Sequence, residues 1–314
     1  MISKTLRIAA LIVLATLALS SAAGAATCSN ASLSGTYGFL HDGTDSTGTP
    51  ATAAVTQITF DSTTGTFTGE QTASHDGVIV TESLTGTYTI DSNCTGTGTP
   101  AGGSPFSIAV TSTGFFAVHA FANGFAVKQG SPTCTNATVQ GSFGFETTGV
   151  FLAGAPATAW VAFVGELKLR VSPSGEGVIT GDMAGSEGSA VLTFAEEPVI
   201  GSYSVNSDCT GTATITPRGQ SALNFSFVVV DCGKQMLAVE TDANTVVSGA
   251  FQRRFEQEML PDADFSGQHS DEMPKPDMGG ISRFLSRQTR IWRFHEDKNL
   301  EIHAQSSQLD HLGA

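Results

Sequence analysis

Along residues 77–91, "GVIVTESLTGTYTID", apolar and polar residues take turns. Val78, Val80, Leu84, Tyr88 and Ile90 fall on one face, and Ile79, Thr81, Ser83, Thr85, Thr87 and Thr89 on the other. A period of two belongs to a β-strand, whose successive side chains point to opposite sides, so this stretch predicts a strand with one buried and one wetter face. Similar runs cover 36–40, 52–60, 65–72, 95–99, 107–111, 115–121 and 124–127. Gly, Asp, Asn and Ser separate them, as turns require. No stretch before Arg254 carries a helical stripe of useful length.

The pattern is written twice. "CSNASLSGTYGF" (28–39) returns as "CTNATVQGSFGF" (134–145), "GTFTGE" (65–70) as "GVITGD" (177–182), and "GTYTIDSNCTGTGT" (86–99) as "GSYSVNSDCTGTAT" (201–214). Order is kept and only loop lengths drift, which marks a tandem duplication of one ordinary-sized domain. The expected organisation is a signal peptide over 1–26, unit 1 over 27–130, unit 2 over 131–254 and a disordered tail over 255–314. The join is the short Gly/Pro stretch "KQGSPT" (128–133).

Eight short antiparallel strands can close into an up-and-down barrel, which leaves no exposed edge. The expected fold is therefore all-β, with two tandem antiparallel eight-stranded β-barrel units. Tandem immunoglobulin-like β-sandwiches are the alternative. They usually have about seven strands and often a Trp buried between the cysteines, and no Trp is so placed in both copies.

The duplication also orders the five cysteines. Cys28 and Cys134 occupy equivalent places, as do Cys94 and Cys209. The simplest pairing is internal to each unit, Cys28–Cys94 and Cys134–Cys209, and leaves Cys232 free. Such bonds persist in an oxidising compartment. Lys4 and Arg7, the apolar run 8–19 and the small residues "SSAAGAAT" have the form of a secretory signal peptide. Twelve apolar residues are too few for a membrane span, which needs about 20, and no later segment is apolar enough. The chain is expected to be secreted, periplasmic or at the cell surface.

Between Thr27 and Arg254 there are eighteen Asp and Glu against seven Lys and Arg, a net charge of −11. A phosphate backbone would be repelled, which excludes nucleic acid as a partner. The tail differs: "ISRFLSRQTRIWRF" (281–294) spaces Ile281, Phe284, Leu285, Ile291 and Trp292 at near-helical intervals among four arginines. A basic amphipathic helix of that kind suits a membrane surface or a partner.

Candidate chemistry is sparse. No phosphate loop, nucleophile elbow, calcium loop or zinc motif is present, so no cofactor and no metal are expected. The dipeptides His41–Asp42 and His75–Asp76 suggest a base and its orienter, but neighbours on a strand point to opposite faces, and Thr147 stands where His41 would recur. Polar turn residues explain both. Glu82 shares the face of Val80, Leu84 and Tyr88, and Glu197 takes the matching place beside Val199 and Tyr203. A carboxylate inside an apolar barrel would have a raised pKa and could act as an acid. Glu82 and Glu197 are thus the catalytic candidates, and Tyr88 and Tyr203 the ligand-binding ones. Pro198 argues for a bulge that turns Glu197 out to water.

The pattern C-x-N-A-[ST], G-[ST]-[YF]-G-F, G-[ST]-Y-[TS]-[IV] and C-T-G-T, spread over residues 28–254, resembles that of uncharacterised secreted repeat proteins of environmental bacteria. Their units are similar to allene oxide cyclase-like and lipocalin-like (calycin) eight-stranded barrels. The resemblance implies a small apolar cavity, and allene oxide cyclases isomerise an unstable fatty-acid epoxide largely by confinement. Three functions stand open: a barrel that binds a small apolar ligand, a cyclase or isomerase of that shape, and a structural or adhesive cell-envelope module. A cavity separates the first two from the third, and an interior acid separates the second from the first.

Overall fold

The computed structural model describes residues 27–45, 48–120, 122–153, 157–188 and 197–254. The expected signal peptide and tail lie outside the described residues. The first sheet runs β1 (Gly35–Thr44), β2 (Pro50–Asp61), β3 (Thr66–His75), β4 (Val78–Ile90), β5 (Thr95–Pro100), β6 (Phe106–Val110), β7 (Gly114–His119) and β8 (Ala122–Lys128). The second runs β9 (Gly141–Ala153), β10 (Ala157–Val171), β11 (Gly177–Glu187), β12 (Glu197–Val205), β13 (Thr210–Pro217), β14 (Leu223–Val230), β15 (Gln235–Glu240) and β16 (Thr245–Arg253). Each strand pairs antiparallel with the next, and each sheet closes on itself, β8 onto β1 and β16 onto β9. Both units are closed barrels, not sandwiches. Cys28–Cys94 and Cys134–Cys209 are bonded, one bridge in each barrel.

Strand parity decides what lies inside. On β1, Tyr37, Phe39 and His41 face the barrel interior, while Gly38, Leu40 and Asp42 face out. The interior of barrel 1 is aromatic at one end: Phe60 sits edge-on to Tyr37, Tyr88 and Phe115, with ring centroids 4.9–5.8 Å apart. Barrel 2 buries Phe143, Leu167, Ile179, Tyr203, Phe227 and Phe251 in its own core.

The outer faces of β1 and β2 are apolar too, because they meet the other barrel. Leu40, Ala53 and Val55 pack against Val150, Val228, Val230, Leu237, Val239 and Val246. Polar groups clasp the seam: Ser248 Oγ donates to Asp42 Oδ1 at 2.6 Å, Asn244 N to Gly77 O at 2.8 Å, and Cys232 N to Gln129 O at 2.9 Å. Ser74 Oγ also donates to Thr245 O. The stretch read as a linker is part of this contact, since Gln129 is buried and its amide donates to Asp208 O at 2.7 Å. Cys232 is free and exposed. At Gly38 the walls come closest: a Cβ there would stand 2.5 Å from Val230 Cγ1. Gly38→Leu should therefore force the barrels apart, at a cost of about 1–3 kcal/mol for overpacking. Thermal unfolding followed by circular dichroism should split from one transition into two; a single unshifted transition would show that the seam does not couple the barrels.

Candidate functional site

One end of each barrel is plugged, and the repeated motif builds the plug. In barrel 1 the 3-10 turn Asn30–Ser32 crosses the end. Asn30 Oδ1 accepts from Ile90 N at 2.8 Å, and the Tyr88 hydroxyl donates to Leu33 O at 2.7 Å, with Asn30 O 3.1 Å away. In barrel 2 the turn Asn136–Val139 repeats this: Asn136 Oδ1 accepts from Val205 N at 2.8 Å and Tyr203 Oη donates to Asn136 O at 3.0 Å. The disulfide then ties the residue two before each Asn to the hairpin after β4 or β12. Cys94 and Cys209 adopt φ of 67° and 74°, a left-handed conformation that favours glycine. A cysteine there is retained because only a side chain can make the bridge.

Tyr88 and Tyr203 are thus buried parts of the floor, and backbone carbonyls of the plug already take their hydroxyl protons. Burial, with smaller contributions from Asp61 and Tyr37, pushes the Tyr88 hydroxyl up to about 12.

Glu82 has the inward parity expected of it, directly opposite Gln71 on β3. It is nevertheless exposed. The reason is the length of β5, which pairs with β4 only from Gly86 onward, so the first half of β4 has a neighbour on one side only. Glu197 is the first residue of β12 and pairs with Met183; its side chain lies outside the described residues.

The polar groups inside barrel 1 are ones the sequence reading set aside as turn residues. His41 and His75 lie on strands and face inward. His41 Nε2 is 3.0 Å from Gln71 Oε1, which also accepts from Thr56 Oγ1 at 3.0 Å. An amide oxygen only accepts, so Nε2 carries the hydrogen and Nδ1 is left as an acceptor. The imidazole stacks on Phe39 at 5.1 Å, and His75 Nδ1 is 3.2 Å from Thr52 Oγ1. Burial is the main cause holding His41 below its usual pKa, against the Gln71 bond, which raises it; nearby His75 lowers it further. The unfolded chain takes up the proton first, so stability from this site is lost as pH falls below about 6.5. Asp42, in contrast, points out to the seam.

Barrel 2 holds the interior acid, on a strand where none was sought. Glu240 ends β15 with the inward parity of Met236 and Ala238, and is 1% exposed. "FFAVH" (115–119) and "MLAVE" (236–240) are copies that place His119 and Glu240 alike, and that likeness was the available signal. Asp242 is held by Asn224, whose N and Nδ2 donate to its two carboxyl oxygens at 2.8 and 2.7 Å. Burial first, then the charge and hydrogen bond of Asp242, push Glu240 up to about 8.

A pH dependence follows. Between pH 4.5 and about 8 the folded chain holds a proton at Glu240 that the unfolded chain has released. Stability from this site is present below that window and falls as pH rises through it. Glu240→Gln should flatten the fall and stabilise the protein at pH 7 by up to about 3 kcal/mol. Urea unfolding at pH 5 and pH 8 measures both slopes; parallel slopes for the two proteins would refute the assignment.

The floor of barrel 2 is filled. The void between Leu167, Tyr203, Phe225, Met236 and Phe251 measures about 20 Å³, room for about one water. A larger groove of about 450 Å³ lies open on the outside, lined by Gln140, Ser142, Glu166, Lys168, Arg170 and Arg254. Among the described residues no group of three His, Cys, Asp or Glu could hold a metal ion, and no helix is long and apolar enough to cross a membrane.

No family model and no curated protein matches the chain. Two solved structures are similar at 8% identity. One is a protein of unknown function of the DUF3598 family from Nostoc punctiforme, with 71% of this chain and 97% of that one covered at a TM-score of 0.24. The other is a porin-like protein from Bacteroides uniformis, with 69% and 97% covered at a TM-score of 0.17.

Proposed function

We propose that the chain is an exported module whose first barrel binds a small, mainly apolar ligand at the end opposite its plug. The observation that carries this reading is the graded interior of barrel 1. A plugged aromatic floor gives way to His41, Gln71, Thr56 and His75, with Glu82 at the lip. Ligand sites commonly combine apolar walls with a few polar groups that orient the guest. Export rests on Lys4, Arg7 and the apolar run after them, and the two disulfides fit an extracytoplasmic compartment. An isomerase of allene oxide cyclase-like shape would need an acid held among apolar groups; the exposed Glu82 does not supply one, and Glu240 in barrel 2 is the residue that would.

The test is titration of the mature protein with a neutral fluorescent probe, N-phenyl-1-naphthylamine. Saturable binding is expected, and His41→Leu, which removes the polar wall but keeps the volume apolar, should change the affinity at least tenfold. Absence of saturable binding would favour the second reading, a structural cell-envelope module, which the filled floor of barrel 2 supports.

A further inference from the structure

We propose that the free edge of β4 in barrel 1 is a docking site for an extended strand of a partner protein, one that carries a Lys or Arg opposite Glu82. Strands β1–β4 are 10–13 residues long and β5–β8 only 5–7. The barrel therefore closes around its plugged half, while the far half of β4 stands as a sheet edge. β5 stops at Pro100, where "TPAGGSP" (99–105) turns away; a proline has no N–H to give to a ladder. The last contacts of this segment with β4 are the pair Gly86↔Pro100 and Ala101 N, which donates to Thr85 O at 2.7 Å. In barrel 2 the corresponding strand is covered farther along. There β13 runs to Pro217 and pairs with β12 from Val199, the counterpart of Leu84.

Parity says which groups are free. In an antiparallel ladder the N–H and C=O of one residue point to the same side, and successive residues alternate. The Thr85 carbonyl faces the β5 side, so Ile79, Thr81 and Ser83 aim their N–H and C=O groups there too. The register with β3 runs unbroken from His75↔Val78 to Thr66↔Thr87, so no bulge reverses that parity. Among the described residues, no backbone group pairs with Ile79, Thr81 or Ser83 on that side. Nor is the edge covered: Thr81, Glu82 and Ser83 are exposed, and Val78 is 62% exposed. A row of unpaired donors and acceptors is the template on which a further strand pairs.

Side chains select the partner. Val80, Glu82 and Leu84 lie on the inward face of the edge, and Ile79, Thr81 and Ser83 on the outward one. Glu82 has no ion pair among the described residues. An inward charge on an edge strand discourages pairing with an arbitrary strand, and an opposite charge directly across from it favours pairing. A second copy of this chain is thereby disfavoured. Antiparallel pairing of two such edges lays both Glu82 carboxylates on one face, between bodies that each carry a net charge of −11 over Thr27–Arg254. A strand that alternates apolar and polar residues, with a cation facing Glu82, meets the backbone, the apolar side chains and the carboxylate together.

Hydrogen exchange of the mature full chain, read residue by residue by NMR, tests this with the peptide acetyl-Thr-Val-Thr-Lys-Thr-Val-Thr-amide at up to millimolar concentration. Saturable protection of at least tenfold is expected at the amides of Ile79, Thr81 and Ser83. None should be added at Val80, Glu82 and Leu84, whose amides already face β3. Replacing the peptide's Lys by Glu should weaken binding at least tenfold, and Glu82→Lys should reverse that preference. N-methylation of the two inner threonines of the peptide, which would pair with Thr81 and Ser83, should abolish protection. These peptide controls need no variant, so a misfolded Glu82→Lys would not spoil the test. No protection at millimolar peptide, protection without alternation, or equal binding of the Lys and Glu peptides would each overturn the proposal. Protection that appears without peptide as the protein is concentrated would overturn it too, in favour of a second copy. The neutral probe of barrel 1 reports on the interior, so the two sites can fail separately.

Discussion

Replacing Tyr88 with alanine should destabilise barrel 1 by about 3–5 kcal/mol, the range for losing a large buried aromatic. Its ring is 2% exposed and lies 4.9 Å from Phe60, edge to face, at the centre of the aromatic floor. Truncation would open a cavity among rings that cannot close over it, because strand pairing holds Phe60 and Phe67 opposite one another. The hydroxyl adds a second loss. It donates to Leu33 O at 2.7 Å and so anchors the plug; without it that buried carbonyl has no donor from this side. Tyr88→Phe separates the two effects, since it keeps the ring and should cost only about 1 kcal/mol. Urea unfolding of the three proteins measures both steps. Equal losses in the two variants would mean that the hydroxyl, not the ring, carries the stability.

Removing the bridge of barrel 2, with Cys134→Ala and Cys209→Ala together, should cost about 4 kcal/mol. The bond closes a loop whose ends are 75 residues apart, and in the chain-entropy model loops of this length restrain the unfolded state by about that amount. The double replacement leaves neither bridge cysteine as an unpaired thiol, so the measured change reports the crosslink together with the small loss of packing by two buried sulfurs. It also relieves nothing elsewhere, because Cys209 would keep its left-handed backbone to hold the hairpin that faces the plug. The bridge of barrel 1, with a separation of 66, should be worth nearly the same. Small domains typically have about 5–15 kcal/mol in all, so loss of both bridges should leave little folded protein at 37 °C. Survival of the folded state in full reducing conditions would show that the plugs hold through Asn30 and Asn136 instead.

Much of the fold was legible because its signals are local. Period-two runs marked the eight strands of unit 1, and the duplicated cysteine motifs gave the bridges. The repeated Asn of C-x-N-A-[ST] also had a physical meaning, since a side-chain amide that pairs with a strand backbone is needed at both plugs. The seam was harder to see. Its signature is the near-continuous apolar run "FSFVVV" (225–230) and "MLAV" (236–239), which marks strands buried on both faces. Read alone, such a run does not say what covers the second face. The site was least legible. Parity rightly put Glu82 on the inward face, but burial depends on whether the neighbouring strand is long enough to cover it, and β5 is not. His41 and Glu240 were passed over for the opposite reason. His41 follows an apolar stretch and reads as the start of a turn, although β1 continues to Thr44, and Glu240 closes β15 after an equally apolar stretch.

The central claim is that barrel 1 holds a guest beyond its aromatic floor while the plugged ends hold the fold. Native mass spectrometry of the mature protein, purified from cells that export it, tests that claim most directly. The account predicts a chain lighter by four hydrogens, for two disulfides, that carries a small-molecule adduct released on denaturation. A bare chain from every preparation, with both disulfides intact, would contradict it and leave two filled barrels whose work is structural.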